Sequence, residues 1–194
     1  MLFVIGLTGL AGSGKGEVSK YLASEYDFKK LVFSDVVRDE AKTRGLLNSN
    51  QNYEEQKYVL SKLGEAMRRE SGRMGILAEK LVEKIKNGDY ERAVVDGFRS
   101  VEEVNLFRGS FDKFYLVLVD ADANIRFSRR KNQDPSTTVE AFSKRDRENI
   151  EVMGLGKTIE MADLTIRNNE NDITKLHSDV DSVMGNLGIR KPSQ

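Results

Sequence analysis

Residues 2–16 read LFVIGLTGLAGSGKG, an apolar run followed by the pattern G-x-x-x-x-G-K between Gly9 and Lys15. This pattern binds phosphate where a buried strand precedes it and a helix follows it. Glycines let the loop bend so that backbone N–H groups point inward, and the helix adds its positive N-terminal end. Lys15 supplies a mobile cation for the outer phosphates of a nucleotide. The stretch therefore predicts a phosphate-binding loop between a first strand and a first helix.

The composition indicates one substantial core and no dominant charge. The 194 residues are 39% hydrophobic, and 31 basic residues balance 31 acidic ones. Without an overall field, neither nucleic acid nor an anionic membrane is an expected partner, and the oligomeric state stays open. The lack of cysteine excludes disulfides, thiolate metal sites and cysteine nucleophiles. The apolar start has no basic n-region and no run is long enough to cross a membrane, which favours a cytoplasmic protein.

Short apolar runs alternate with longer amphipathic segments, a pattern typical of an α/β parallel sheet with crossover helices. We predict strands over Leu2–Leu7, Lys30–Phe33, Ala93–Val95, Phe114–Val119 and Asp163–Ile166. We predict helices over Lys15–Tyr26, Asp35–Arg44, Tyr53–Glu70, Ile76–Asn87, Val101–Phe107, Ala123–Arg130, Val139–Met153 and Asp172–Leu187. Nothing repeats internally, so residues 1–194 are interpreted as a single domain.

Two segments interrupt this alternation of strands and helices. About residues 35–75 separate the second strand from the third by more chain than one crossover helix needs. About residues 129–145 contain a polar, turn-rich connection among arginines. Each segment could be an ordinary surface excursion or part of a binding site.

The residues after the loop lysine narrow the class of protein. Most phosphate-binding loops place Ser or Thr there to ligate Mg²⁺, whereas this chain has Gly16 and then Glu17. Lys-Gly at this place resembles the nucleoside monophosphate kinases, the adenylate kinase group in particular. That group usually has Pro in place of Ala11 and Thr in place of Glu17, so we expect Glu17 to face away from the phosphates or to contact magnesium through water. The resemblance implies that ATP is bound by Gly9, Gly12, Ser13, Gly14, Lys15, Gly16 and Glu17.

The second predicted strand runs into Ser34-Asp35-Val36-Val37-Arg38. Ser34 or Asp35 can cap the following helix, and Arg38 then projects from the same edge of the sheet as the phosphate loop. Adenylate kinases have Asp-x-x-Arg here with the arginine on the acceptor phosphate, so the resemblance implies that Asp35 and Arg38 bind the acceptor. A plain cap followed by a surface arginine is the alternative.

The third predicted strand ends in Val94-Val95-Asp96-Gly97-Phe98-Arg99. A carboxylate at this strand end can hold water bound to magnesium, and the turn brings Arg99 over the acceptor phosphate. Adenylate kinases read Asp-Gly-Phe-Pro-Arg, so this chain lacks the proline. An ordinary Asp-Gly turn would explain the same residues.

Five arginines flank the polar connection at residues 129–145: Arg126, Arg129, Arg130, Arg145 and Arg147. Because residues four apart share a helix face, we expect Arg126 and Arg130 to act together. Adenylate kinases clamp the donor phosphates with arginines before and after a lid, which implies that Arg126, Arg130 and Arg145 are catalytic with Lys15 and that Arg126 binds ATP. Alternatively, these arginines form a solvated face paired with Asp146 and Glu148.

The resemblance covers nearly the whole chain and is closest to archaeal-type proteins related to adenylate kinase or dephospho-coenzyme A kinase. It implies a three-layer P-loop fold: a five-stranded parallel sheet with helices on both faces, a helical acceptor-binding insertion at about residues 35–75 and a short lid at about residues 129–145. The implied activity is Mg²⁺-dependent transfer of the γ-phosphoryl group of ATP to a nucleoside monophosphate or to dephospho-coenzyme A. Alternatives are a P-loop ATPase that acts as a switch or assembly factor on a macromolecular partner, and a binding protein without catalysis.

Overall fold

The computed structural model describes residues 2–51, 53–73, 75–152 and 154–192. Its strands are β1 (Phe3–Thr8), β2 (Lys29–Val32), β3 (Arg92–Phe98), β4 (Phe114–Asp120) and β5 (Leu164–Arg167). Its first five helices are α1 (Lys15–Tyr26), α2 (Phe33–Thr43), α3 (Tyr53–Ser71), α4 (Ile76–Lys86) and α5 (Val101–Ser110). After β4 come α6 (Ala123–Gln133), α7 (Val139–Arg147), a π-helical turn (Glu148–Val152), α8 (Leu155–Glu160) and, after β5, α9 (Ile173–Asn186).

The strands form a parallel sheet in the order β2-β3-β1-β4-β5 with β1 at its centre. Alternate residues of β1 enter two different cores, because successive strand side chains point to opposite faces. Val4 packs into the core that α2, α4 and α5 share, whereas Ile5 and Leu7 pack with α1 and α9. This arrangement confirms the five-stranded α/β fold with helices on both faces. It also brings the carboxyl ends of β1, β3 and β4 to one edge, which is where ligands bind in such sheets.

The third strand is longer than predicted. It continues beyond Val95 to Phe98, and the register against β1 shifts between Leu7, opposite Asp96, and Thr8, opposite Phe98. Gly97 is the extra residue of this bulge, and its φ of +109° favours glycine. The expected Asp-Gly turn is therefore a bulge within the strand.

The second helix begins two residues earlier than predicted, so the expected cap is wrong. Val32 is the N-cap, without a side-chain hydrogen bond, and Asp35 lies in the first turn of α2. Phe33 is buried and packs edge-on against Phe98, with ring centroids 5.0 Å apart. This aromatic contact places the start of the helix directly after β2, with no loop in which a polar residue could cap it.

The predicted helix over Val139–Met153 is also wrong in its second half. Regular helix ends at Arg147 and a π-helical turn follows, while Met153 lies outside the described residues. Gly154, with a φ of +79°, begins the unpredicted helix α8, whose Leu155 and Thr158 are buried. Such a short, glycine-containing segment carries too little periodicity to be read as a helix.

The two unusual segments are helical. α2, α3 and α4 connect β2 to β3, and α6 and α7 form a hairpin whose tip comprises residues 134–138. Phe127 of α6 packs edge-on against Phe142 of α7, with ring centroids 5.5 Å apart. In the described part of the chain, every helix is too short or too polar to span a bilayer. The assignment of these segments as acceptor-binding insertion and lid stays a prediction.

Candidate functional site

The loop between β1 and α1 is built on glycines that a side chain could not replace. Gly9, Gly12 and Gly14 have φ values of +134°, +83° and +107°. An added Cβ would lie 2.2 Å from the Val119 carbonyl oxygen at Gly9 and 2.7 Å from the Arg126 carbonyl oxygen at Gly12. The loop is therefore pressed against β4 and α6 in one conformation.

The start of α1 has the free polar groups that phosphate needs. Gly14 is the N-cap and has no side chain that could accept from the first N–H groups of the helix. The Ser13 hydroxyl is buried and has no hydrogen-bond partner among the described residues. A helix start that offers N–H groups and an unsatisfied hydroxyl fits the phosphates of a nucleotide.

Lys15 lies in the loop beside its own backbone carbonyls. Its Nζ donates to the Gly9 oxygen at 2.7 Å and to the Leu10 oxygen at 3.0 Å. Burial lowers the pKa of Lys15 to about 8. The carboxylate of Asp96 opposes this shift, whereas three guanidiniums, those of Arg99, Arg126 and Arg145, add to it. An anion at this position would relieve the repulsion and restore the charge on Lys15.

Asp96 supplies the negative charge that opposes the lowering of the Lys15 pKa. Burial raises the pKa of Asp96 itself, while Lys15, Lys30 and Arg99 act in the opposite direction. The described residues contain no cluster of three or more acidic or histidine side chains that could cage a metal ion. A single carboxylate fits Mg²⁺, which usually retains several waters and binds through one or two carboxylates plus substrate phosphates.

Arg99 and Arg145 converge on this place without protein partners. Neither guanidinium makes a hydrogen bond or an ion pair within residues 2–51, 53–73, 75–152 and 154–192. The pKa of Arg99 is lowered by desolvation in the cleft and then by repulsion from Arg145. Both side chains are exposed enough to meet a ligand. Two guanidiniums without a direct ion-pair partner in the described part of the chain, together with Lys15, are an arrangement that can bind an anion.

Arg126 is fixed by the protein itself. It is 5% exposed, its Nε donates to the Ala121 oxygen at 2.9 Å, and its guanidinium contacts the Ala11 oxygen at 3.2 Å. It pairs with Asp146 of α7 at 2.8 Å and lies over the Phe142 ring at 5.1 Å. The pairing with Asp146 that the sequence left as an alternative therefore holds for Arg126, which joins the two arms of the hairpin to the phosphate loop.

Arg129, rather than Arg130, accompanies Arg126 at the loop. Its guanidinium donates to the backbone oxygens of Asn168 at 3.0 Å and Glu170 at 2.7 Å. Arg130 instead contacts Gln133 at 2.9 Å. The face of α6 against the loop thus carries residues three apart, and the expectation that Arg126 and Arg130 act together stays a prediction.

Asn168 was not predicted as a site residue. It is buried, its Nδ2 donates to the Ser13 oxygen at 2.8 Å, and its Oδ1 accepts from Arg129 at 3.2 Å. An added Cβ on Gly14 would lie 2.3 Å from that same Nδ2. Asn168 therefore supports the phosphate loop from the end of β5, and a single polar residue after a strand gave no sequence signal of this contact.

The remaining predicted residues lie around the centre with fewer contacts. Glu17 pairs with Lys20 at 3.5 Å and lines a cavity of about 250 Å³ beside Arg129 and Asn168. An added Cβ on Gly16 would meet no heavy atom within 4 Å. On α2, Asp35 is exposed and Arg38 is half-buried. Neither Asp35 nor Arg38 makes a side-chain hydrogen bond or ion pair in the described part of the chain.

A family model described as an AAA domain matches residues 8–154. A UPF0200 protein of Methanothermobacter thermautotrophicus is 33% identical over 189 residues, which cover 96% of this chain and 91% of that protein. A UPF0200 protein of Methanosarcina mazei is 30% identical over 190 residues, with 96% of each chain covered.

Solved structures share the fold at low sequence identity. TT1252 from Thermus thermophilus has a TM-score of 0.64 at 16% identity and covers 96% of this chain and 98% of its own. A shikimate kinase from Acinetobacter baumannii, solved in complex with shikimate, has a TM-score of 0.63 at 16% identity, with 98% and 97% covered. These neighbours confirm the P-loop kinase fold. The finer resemblance to adenylate kinase stays a prediction. The chain belongs to the AAA domain family and to the UPF0200 proteins.

Proposed function

We propose that this protein is an ATP-dependent phosphotransferase that moves the γ-phosphoryl group to a nucleotide or nucleotide-like acceptor. The observation that carries the proposal is the convergence of Lys15, Arg99 and Arg145 beside Asp96, with both guanidiniums unpaired. Phosphoryl transfer needs little covalent chemistry from the protein, and it depends on positioning and on positive charge around the moving group. A P-loop kinase-like fold supports the same reading.

The donor side is the phosphate loop. Its N–H groups and the start of α1 hold the β- and γ-phosphates of ATP, and Lys15 leaves the Gly9 and Leu10 oxygens to contact the outer phosphates. Asp96 would hold Mg²⁺ through water, and the bound cation supplies further charge neutralisation at the phosphates. Arg126 positions the loop and the hairpin, since its guanidinium is already committed to Asp146.

The proposed acceptor side consists of Arg38, Arg99 and Arg145. Arg99 and Arg38 bind the acceptor's phosphate, and Arg145 of α7 completes the charge around the transferred group. A phosphate acceptor needs no general base, whereas a hydroxyl acceptor such as dephospho-coenzyme A would benefit from one. Asp35, exposed in the first turn of α2, is our candidate for that role.

An acceptor screen tests the proposal. The protein is incubated with ATP and Mg²⁺ and, in turn, with AMP, CMP, GMP, UMP, dephospho-coenzyme A or shikimate, and ADP and phosphorylated product are quantified by mass spectrometry. We expect product with a phosphate-bearing acceptor and none with shikimate. ADP formation that no acceptor stimulates would contradict a kinase and favour the switch-type ATPase.

Two variants locate the activity once an acceptor is found. Lys15→Ala should lower kcat/KM by roughly 10²–10³-fold, the loss typical of one charge-stabilising group. Arg99→Ala should raise the acceptor KM by about 30-fold or more with little change in ATP affinity, because it removes charge-assisted hydrogen bonds. Normal turnover by Lys15→Ala would refute the donor assignment.

A further inference from the structure

Glu103 is a buried carboxylate in the first turn of α5. It is 1% exposed, and burial raises its pKa. Its Oε2 accepts from the backbone N–H of Arg99 at 2.8 Å and from that of Ser100 at 3.2 Å. The Ser100 hydroxyl accepts in return from the Glu103 N–H, which completes a capping box. Glu103 thus fixes the turn that carries Arg99.

The capping hydrogen bonds alone do not explain why position 103 carries a charged glutamate. Gln at the same position closes a capping box without burying a charge, and an unpaired buried carboxylate is costly. The other oxygen, Oε1, lies 3.4 Å from the guanidinium of Arg68. Arg68 belongs to α3, so the pair joins the helical insertion to the turn after β3.

Arg68 has contacts that hold it in place, but they do not use all of the N–H donors of its guanidinium. Its side chain is 19% exposed, and it also contacts the Gly64 oxygen at 3.4 Å. Both distances are at the long end for hydrogen bonds, and a guanidinium has five N–H donors, so Arg68 keeps donors for a ligand. It is close enough to Arg99 to lower that residue's pKa, after desolvation and Arg145.

Around Lys15, Arg68 and Arg99, positively charged side chains outnumber negatively charged ones. Lys15, Lys30, Arg68, Arg99 and Arg145 contribute five positive charges. Asp96 and Glu103 contribute two negative ones. Arg126 is left out of this balance because Asp146 neutralises it. The surplus of three positive charges favours the binding of phosphate groups.

We propose that Arg68 is a second guanidinium of the acceptor site and that Glu103 is the positioning residue that orients Arg68 and Arg99 as one unit. The group they bind is a phosphate dianion. Only the term acceptor site rests on the proposed function. Binding of an anion by Arg68 and Arg99 can be measured without turnover. It also predicts that the insertion contributes to binding through α3.

The test is binding of inorganic phosphate with the phosphate loop already filled. The full chain is saturated with Mg²⁺ and the non-hydrolysable analogue AMP-PNP, and phosphate is titrated by calorimetry at constant ionic strength. Arg68→Ala should weaken phosphate binding about tenfold or more. The matched control is Arg69→Ala, which removes the same charge from the exposed neighbouring position of α3 and should change it less than about twofold. Equal effects of the two variants would overturn the site.

The role of Glu103 is tested by its dependence on Arg68. Glu103→Gln keeps an acceptor for the two N–H groups, so the turn should survive, which a thermal melt checks. The substitution should change phosphate affinity in the parent protein and have little effect in Arg68→Ala, because residues that act through one another are not additive. Additive effects, or none in the parent protein, would overturn the positioning role.

Two further arms separate this proposal from the proposed function. If the parent protein did not bind AMP-PNP, the nucleotide site would be refuted. If Arg68→Ala bound phosphate as tightly as the parent protein, only the present inference would be refuted. AMP and glucose 6-phosphate replace phosphate in the last titrations. Their binding should depend on Arg68 as that of phosphate does, and tighter binding of AMP would identify a nucleotide as the source of the dianion. Arg68-independent binding of both would contradict the site.

Discussion

Lys15 illustrates how a cluster of like charges prepares a site for an anion. Its ammonium group is buried, and its pKa is lowered to about 8 although Asp96 is nearby. The unfolded chain retains the proton up to a pKa of 10.5, so between these two values the unfolded state binds more protons and stability of the free protein rises with pH. Phosphate reverses this preference, because it stabilises the charged lysine.

Nucleotide binding should therefore be accompanied by proton uptake near pH 8. About half a proton should be taken up at pH 8, and almost none near pH 6, where Lys15 is already charged. Calorimetry of AMP-PNP binding in two buffers with different ionisation enthalpies measures this number. Lys15→Met should abolish the uptake. Uptake that persists in the variant would show that another group titrates.

A second prediction at this scale concerns Gly14. Gly14→Ala should destabilise the fold by about 2–4 kcal/mol, since it combines a positive φ with a collision against the Asn168 amide. Gly16→Ala is the control, because its added methyl group meets no heavy atom within 4 Å. Urea unfolding compares the two. If Gly14→Ala were as stable as Gly16→Ala, the loop would have to adopt another conformation.

At the scale of elements, the α6–α7 hairpin is joined by one buried ion pair. The side chains of Arg126 and Asp146 are only 6% and 14% exposed, and one oxygen of Asp146 is buried without a hydrogen-bond partner among the described residues. Asp146 thereby neutralises Arg126, whereas Arg145 has no ion-pair partner among the described residues. Arg126 is thus fixed to the phosphate loop, and under the proposed function Arg145 is the arginine of the hairpin that is left to contact phosphates.

Asp146→Asn should lower the free energy of unfolding by about 3 kcal/mol, because it leaves the Arg126 charge buried and unpaired. The matched control is Glu148→Gln one residue beyond α7, whose pair with Lys144 spans 3.9 Å between side chains that are more than half exposed. That change should have an effect below about 0.5 kcal/mol. Urea unfolding followed by circular dichroism measures both. Equal losses would show that Asp146 does not hold the hairpin.

At the scale of the whole molecule, the two cores on opposite faces of the sheet support different parts of the candidate site. The core with α1 and α9 supports the phosphate loop, and the other core supports the elements that carry Arg68 and Arg99. In that second core Phe107 is fully buried and packs edge-on against Phe98 at 4.8 Å, one residue before Arg99. Aromatic packing thus connects the turn that carries Arg99 to the interior.

Phe107→Ala should destabilise the protein by about 3–5 kcal/mol, the usual loss for a buried phenylalanine. Leu46→Ala, at a side chain that is 41% exposed, is the control and should change stability by less than about 1 kcal/mol. Thermal and urea unfolding measure the difference. A small loss at Phe107 would contradict tight packing of this core.

The sequence by itself determined the α/β fold, the phosphate loop and the bounds of α1, because these depend on local signals: glycines at fixed spacing, a lysine and an apolar run. It also selected Lys15, Asp96 and Arg99, since parallel strands bring their carboxyl ends to one edge, and the resemblance to adenylate kinases added Arg145. Only the tertiary structure decided which arginines are free. Arg126 and Arg129 are occupied by Asp146 and Asn168, and Glu103 is matched with Arg68, through contacts between residues far apart in the chain. Spacing along one element cannot reveal such partners, because charge pairing depends on what the fold brings to the other side.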